Sequence, residues 1–173
     1  AEIAVHSALT GHLVLSSLHT NDAPTAVPRL IDMKIPPFLV AAVLNTVIAQ
    51  RLVRRICRDC IQSYETTAEM VEGLRNQFKN FIGIEEVEIP RILYKGAGCP
   101  TCGFTGYRGQ MAIFEILDVD EDIRRLINQP DFSLEKLKRL AKEKGMITMF
   151  EDGLRKAQMG FTTIEEVMRV IRE

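Results

Sequence analysis

The four cysteines of this chain come as two pairs, Cys57-Arg-Asp-Cys60 and Cys99-Pro-Thr-Cys102, with 38 residues between Cys60 and Cys99. A two-residue gap lets a tight knuckle point both sulfurs of a pair to one side. Two knuckles brought together supply four ligands at about 2.3 Å from a Zn²⁺ ion. No other feature constrains the fold as much, because two distant segments must meet. In the second knuckle, C-P-T-C-G-F-T-G-Y-R-G, residues Gly103, Gly106 and Gly109 suit the positive φ values that such a loop needs. Arg54, Arg55, Arg58 and Arg108 stand close enough in sequence to offset the surplus negative charge of a metal tetrathiolate. With four protein ligands such a site is closed, so the expected zinc holds a fold and does no chemistry. Two disulfides would need an oxidising compartment, and nothing in the chain reads as secretory. A redox pair suits one CxxC better than twin knuckles in a glycine-rich setting. An iron–sulfur cluster is the rival for four cysteines.

Length and charge narrow the remaining classes. A chain of 173 residues that is 46% hydrophobic can bury a core, as one domain or two small ones. The net charge is −1, so no global basic field invites nucleic acid. The charges are unevenly placed: four arginines and no acid lie between Arg51 and Arg58, whereas residues 61–90 carry six acids against two bases. The acidic stretch reads as a solvated helical face and its following loop. No apolar run approaches the 18 or so residues of a membrane span. The chain opens inside a helical pattern with no Met start, which is the expectation for an excised piece.

Taken in order, Ala1 to Leu9 reads as a helix stopped by Gly11, and Leu13-Val14-Leu15 as a short, buried parallel strand. The polar run Ser16, Ser17, Leu18, His19, Thr20, Asn21, Asp22 follows, where the carboxyl end of a strand places ligands in open α/β sheets. Asp22 can cap the next helix, with Pro24 in its first turn and Pro28 kinking or delaying it. Phe38 to Ile48 suggests a buried helix. Thr66 to Lys79 has helical spacing at Met70, Leu74 and Phe78, Ile89 to Tyr94 reads as a strand, and so does Met111 to Val119. Short capped helices follow from Asp120: Ser133 caps Leu134–Lys144, Gly145 ends it, and Thr163 with Glu166 forms a capping box before Val167, Val170 and Ile171.

Of the three histidines, His6 and His12 are unremarkable by position. His19 stands beside Thr20, Asn21 and Asp22, and such a cluster can watch a phosphate through imidazole and amide donors. The same residues also make an ordinary helix cap, so spacing alone leaves both readings open.

The segment T-G-H-L-V-L-S-S-L-H-T-N-D-A, Thr10 to Ala23, resembles the His box of the type II secretion and type IV pilus assembly ATPases. A-Q-R-L-V-R-R-I-C-R-D-C and C-P-T-C-G-F-T-G-Y-R-G are similar to the tetracysteine region of that family, in the same order. The resemblance covers essentially the whole chain. It implies an α/β fold: the second half of a RecA-like P-loop NTPase core over residues 1–56, with a tetracysteine zinc subdomain at 57–103. A strand at 104–118 returns to the core, and a C-terminal helical subdomain occupies 119–173. It further implies part of a homo-hexameric, ATP-hydrolysing motor for protein secretion or pilus assembly. Such a motor is cytoplasmic, peripherally attached to the inner membrane, and contacts inner-membrane platform proteins rather than nucleic acid. By the resemblance, His12 and His19 are catalytic, His19, Thr20 and Asn21 line the nucleotide, and Cys57, Cys60, Cys99 and Cys102 bind structural zinc. Arg51 and Arg55 are carried over as subunit-interface residues.

There are departures. No G-x-x-x-x-G-K-[ST] occurs in the chain, and no strand ends in a Walker B acid. The 173 residues by themselves are therefore expected neither to hydrolyse ATP nor to bind it tightly, ATP and Mg²⁺ belonging to the full-length protein. Gln110 stands where the family has an arginine after G-Y-x-G, and Pro28 is unusual in the helix after the His box. The tetracysteine region argues against the pilus-retraction branch. The alternative reading is a stand-alone zinc-stabilised module that contacts a partner or nucleic acid through Arg51 to Arg58; scarce aromatics (6%, no Trp) weaken the nucleic-acid form of it.

Overall fold

The computed structural model describes residues 1–82 and 88–172. It contains the helices α1 (Glu2–Leu9), α2 (Ala26–Asp32), α3 (Pro37–Val43), α4 (Ala68–Ile82), α5 (Glu121–Ile127), α6 (Leu134–Glu143), α7 (Met149–Gln158) and α8 (Ile164–Arg172). The strands are β1 (Thr46–Ile56), β2 (Ile61–Glu65), β3 (Ile92–Gly96) and β4 (Tyr107–Asp118). Among the described residues the strands make two two-stranded sheets, β1 with β4 and β2 with β3. The second pair is antiparallel, in a register from Ile61 opposite Gly96 to Glu65 opposite Ile92.

The chain divides into two compact units, one of Ala1–Gln50 with Phe114–Met149 and one of Arg51–Ile113 with Phe150–Glu173. These boundaries lie elsewhere than the segments expected from sequence. α7 and α8 fall with the cysteine pairs, and α5 and α6 fall with the N-terminal helices. The physical reason is where each helix buries its apolar face, which sequence order does not fix.

In the first unit, Val5, Val27, Val40 and Ala41 from α1–α3 pack with Leu117, Val119, Ile123, Ile127, Leu137 and Ala141. Arg124 donates to the Ala41 carbonyl and, at 2.8 Å, to Asn45 Oδ1, tying α5 to the end of α3. Asp120 caps α5 by accepting from the N–H groups of Asp122 and Ile123, and Ser133 caps α6 through Lys136 N–H. Gly145, at φ 91°, lies two residues past the end of α6, as expected.

In the second unit, Phe78 is fully buried and meets Phe150 edge to face, with ring centroids 4.7 Å apart. Val53, Ile56, Leu93, Ile113, Ile164, Val167 and Val170 are buried there too. A Cβ on Gly153 would stand 2.5 Å from a Val167 methyl, so α7 and α8 approach through a position where only glycine fits.

Several expectations need correction. Leu13-Val14-Leu15 is not a strand: residues 12–20 are irregular, and Leu13 and Leu15 are each 88% exposed. A parallel strand exists only against a neighbour, and none among the described residues pairs with this run. The helix expected from Phe38 to Ile48 ends at Val43, and Thr46 already opens β1. The β-branched Thr46, Val47 and Ile48 favour the extended chain. Ile89–Tyr94 is displaced to Ile92–Gly96, and Ile61–Glu65 is a strand that apolar patterning did not reveal. Pro28 does not break α2: it is the third residue of a helix starting at Ala26, where its missing N–H has no intrahelical partner to lose. The capping box is half formed. Thr163 Oγ1 accepts from Glu166 N–H at 3.3 Å, but the Glu166 carboxylate turns to Arg54 and Arg169. Of the acidic stretch, Glu65, Glu69, Glu72 and Glu88 are exposed as expected, whereas Glu85 and Glu86 lie outside the described residues.

Candidate functional site

The cysteine pairs do meet. Cys57 directly follows β1, Cys60 precedes β2, and between β3 and β4 Cys99 precedes a 3-10 turn, Pro100–Cys102, that Cys102 ends. Backbone hydrogen bonds build each knuckle: Cys60 N–H donates to Cys57 C=O, Cys102 N–H to Cys99 C=O at 3.1 Å, and Phe104 N–H to Cys99 C=O at 2.9 Å. Cross-bonds join them, from Cys57 N–H to Gly106 C=O and from Ala97 N–H to Cys60 C=O, both 2.9 Å.

The expected glycines have different reasons. Gly103, Gly106 and Gly109 all have positive φ. Gly106 carries a further demand, since a Cβ there would lie 2.7 Å from the Gly96 carbonyl oxygen, and a Cβ on Gly96 would run into the Gly106 carbonyl. The two backbones touch, which brings the knuckles within reach of one ion.

All four sulfurs lie within 4.8 Å of one another. Cys57 Sγ to Cys99 Sγ is 3.8 Å, Cys60 Sγ to Cys102 Sγ 3.9 Å and Cys99 Sγ to Cys102 Sγ 3.7 Å. A tetrahedron with metal–sulfur bonds of about 2.3 Å has an edge of about 3.8 Å, so the spacing fits one four-coordinate ion. It is far longer than an S–S bond of about 2.05 Å. It is also too tight for a cluster of several irons to sit between the thiolates.

Electrostatics agree with a cation site. Burial pushes the Cys102 thiol up, but N–H groups of Cys99 and Gly106 aimed at its sulfur outweigh this and hold it at about 6. Burial lifts Cys60 to about 12 against the Gly98 N–H, with neighbouring sulfurs adding to the rise. The Asp59 N–H draws Cys57 down, yet burial and the Cys99 sulfur leave it above the ordinary thiol range. A lowered Cys102 thiol beside raised Cys57 and Cys60 thiols is a conflict that a divalent ion relieves while displacing protons.

The second candidate site is the loop after α1, in the first unit. His19, Thr20 and Asn21 line one shallow groove with Thr25, Pro28, Arg29 and Asp32. His12 does not join them; its Nδ1 faces Thr10 Oγ1 at 3.0 Å and the Ser7 carbonyl at 3.3 Å. His6 is exposed. Sequence reasoning missed Arg29, although Thr25, Arg29 and Asp32 share one helix face by their spacing of four and seven. It also missed Glu115, a buried carboxylate that accepts from Ala23 N–H at 2.8 Å and Met149 N–H at 3.2 Å. Glu115 thereby anchors the start of α2 behind the histidine loop, and its strand alternation with buried Ile113 and Leu117 was the available signal. Asp22 lies at the loop's end, accepting from Thr25 N–H at 2.9 Å and pairing with Lys138 at 2.6 Å. Burial raises the Asp22 carboxyl, but the Lys138 and Thr25 donors prevail and hold it below the usual range.

Arg51 and Arg55 are half-buried in the second unit. Gln110 is exposed in β4. Arg54, by contrast, is committed to Glu166 and lies over the Tyr107 ring at 4.2 Å.

Against known proteins, residues 1–169 match the family model of the type II/IV secretion system protein. The chain is 47% identical over 169 residues to the type IV pilus assembly ATPase PilB of Thermus thermophilus, covering 97% of this chain and 18% of that protein. It is 43% identical over 175 residues to the type II secretion system ATPase E of Vibrio cholerae, covering 100% of this chain and 32% of that one. It thus spans a third or less of the length of these relatives. Among solved structures, the pilus retraction motor PilT with bound ADP aligns with a TM-score of 0.58 at 22% identity, over 98% of this chain and 35% of that one, which shows a shared fold. Among the described residues no helix is long and apolar enough to cross a membrane. The chain belongs to the type II/IV secretion system protein family.

Proposed function

We propose that this chain is the part of a secretion or pilus-assembly ATPase that carries the His box and a structural zinc centre, within a partial RecA-like core. The observation that carries the reading is the meeting of four sulfurs at single-ion spacing within a family whose cited relatives are named as ATPases. Cys57, Cys60, Cys99 and Cys102 would hold the zinc, whose chemistry there is to cross-link two knuckles and leave no open coordination position. His19, Thr20 and Asn21, with Arg29 beside them, supply donors suited to phosphoryl oxygens. His12, whose Nδ1 faces Thr10 Oγ1 and the Ser7 carbonyl, would act by shaping the loop after α1. The phosphate-cradling lysine and magnesium-holding acid would come from sequence outside these residues, so the isolated chain is inactive. The whole protein would act as a cytoplasmic homo-hexamer against inner-membrane platform proteins, with Arg51 and Arg55 at subunit contacts.

A graft tests this. The matched segment of the Thermus PilB is replaced by these 173 residues, and ATP hydrolysis and metal content are measured. The expected result is retained hydrolysis, one zinc per subunit, and loss of at least tenfold in rate with His19→Ala. Hydrolysis unaffected by His19→Ala would remove the phosphate-facing role. Iron, or no metal, would remove the zinc centre, and submicromolar binding of the chain to DNA at physiological salt would favour the stand-alone module.

A further inference from the structure

Three arginines from three backbone segments share one groove with the first knuckle. Arg55 comes from β1, Arg58 from between the paired cysteines and Arg108 from β4, and the groove is completed by Ile56, Cys57 and Asp59. Among the described residues none of the three arginines is in an ion pair, and Asp59 is the only acid on the lining. Arg54, one residue away, differs: its guanidinium is held by Glu166 and its charge is spent.

The charges close. Four thiolates around a divalent ion leave −2, and three guanidiniums with one carboxylate supply +2. Cys57, one of the four candidate ligands, lines the same groove. We propose that Arg55, Arg58 and Arg108 form a counter-charge for the four-cysteine metal centre, setting how tightly it holds its ion. This rests on the metal-centre reading and deepens it. Fixed guanidinium charge in the groove that Cys57 lines offsets the negative charge of a loaded tetrathiolate centre, and so favours the bound ion. Guanidiniums suit the task because they stay charged at any working pH and are weakly hydrated. Their role is positioning and electrostatic, since none of them can ligate the ion.

The test measures metal affinity of the full 173-residue chain by competition with a chromophoric zinc chelator, at low and high salt. Changing Arg55, Arg58 and Arg108 together to Gln is expected to weaken zinc binding roughly 10–100-fold. Changing all three to Lys, which keeps the charge, is expected to stay within about threefold of the unaltered chain. The gap between the Gln and unaltered chains should shrink in 1 M salt, where charges more than about 3 Å apart are screened. Should the triple Gln variant fail to fold by circular dichroism, Arg108→Gln alone is expected to show about threefold weakening with the same salt dependence.

Equal affinity of the Gln variants and the unaltered chain would overturn the proposal, leaving the arginines as a solvated face. So would a Lys variant as weak as the Gln variant, because shape rather than charge would then matter. Inorganic phosphate bound at submillimolar concentration by the zinc-loaded chain, read by ³¹P NMR, would assign the groove to an external anion. A chain that takes up no zinc at all would sink the metal centre itself, whereas one zinc per chain with unchanged variants sinks only the arginine role.

Discussion

Glu166 is a buried carboxylate held by two arginines. Its side chain is 3% exposed, yet it carries a charge. Arg169 donates to both carboxylate oxygens, from Nε at 3.1 Å and Nη2 at 3.0 Å. Arg54 contributes its guanidinium and, at 3.2 Å, its backbone N–H. Burial pushes the carboxyl up, but the donors of Arg54 and Arg169 overcome it and hold it at about 2, from an ordinary 4.5. The surroundings add to the clamp: Thr162 Oγ1 donates to Arg54 C=O at 2.8 Å, and Ile56 N–H to Phe161 C=O at 2.9 Å, one residue before Cys57. A depressed carboxylate adds stability above its unfolded pKa and loses it as pH falls through its folded value. The contribution is therefore complete above about pH 5 and gone near pH 2. Two and a half pH units correspond to about 3 kcal/mol at most. Because Arg54 is 47% exposed and water screens it, about 2 kcal/mol is the better figure. Glu166→Gln keeps the shape and removes the charge. In urea unfolding followed by circular dichroism it should lower the midpoint by about 1 M at pH 7, taking about 2 kcal/mol per molar for the slope. The gap to the unaltered chain should close between pH 5 and pH 2. A gap that stays constant over that range, or no gap at pH 7, would refute the reasoning.

Two further outcomes follow from backbone approach and buried donors. Gly96→Ala should cost at least tenfold in zinc affinity, because its Cβ enters the Gly106 carbonyl and the knuckles must part; Gly73→Ala, with open space around it in α4, should leave affinity unchanged and add up to about 1 kcal/mol of helix stability. Equal affinities in the two variants would show that the close approach is dispensable. Glu115→Ala strands the buried N–H groups of Ala23 and Met149, at about 1–3 kcal/mol each, and should lower the melting temperature by roughly 4–24 °C. A melting temperature within 2 °C would show that water replaces the carboxylate.

Some of this molecule is written locally. Each cysteine knuckle is a short-range object: a two-residue gap and glycines at positive φ mark Cys57 with Cys60, and Cys99 with Cys102, as candidate ligand pairs, whereas the meeting of the two pairs across 38 residues is tertiary. The helices α4 and α6 are also local, set by apolar spacing and, for α6, by the Ser133 cap. Where a residue's state depends on a distant partner, the linear pattern was silent or misleading. Leu13-Val14-Leu15 has the composition of a buried strand, but a strand is defined by its neighbour, and none of the described residues pairs with it. Glu166 looked like a capping residue because capping is local. Its carboxylate went to Arg54, 112 positions earlier, where a buried charge gains more. Likewise the tertiary structure decided that Glu115 holds the start of α2 and that His19 and Arg29 line one groove that His12 does not join. It also decided that Arg55, Arg58 and Arg108 line one groove from which Arg54 is absent. Spacing can specify a site whose ligands lie a few residues apart, because backbone geometry carries the information. A site assembled from separate segments is specified only by packing, since the energy that selects it is shared among groups that meet after the chain has folded.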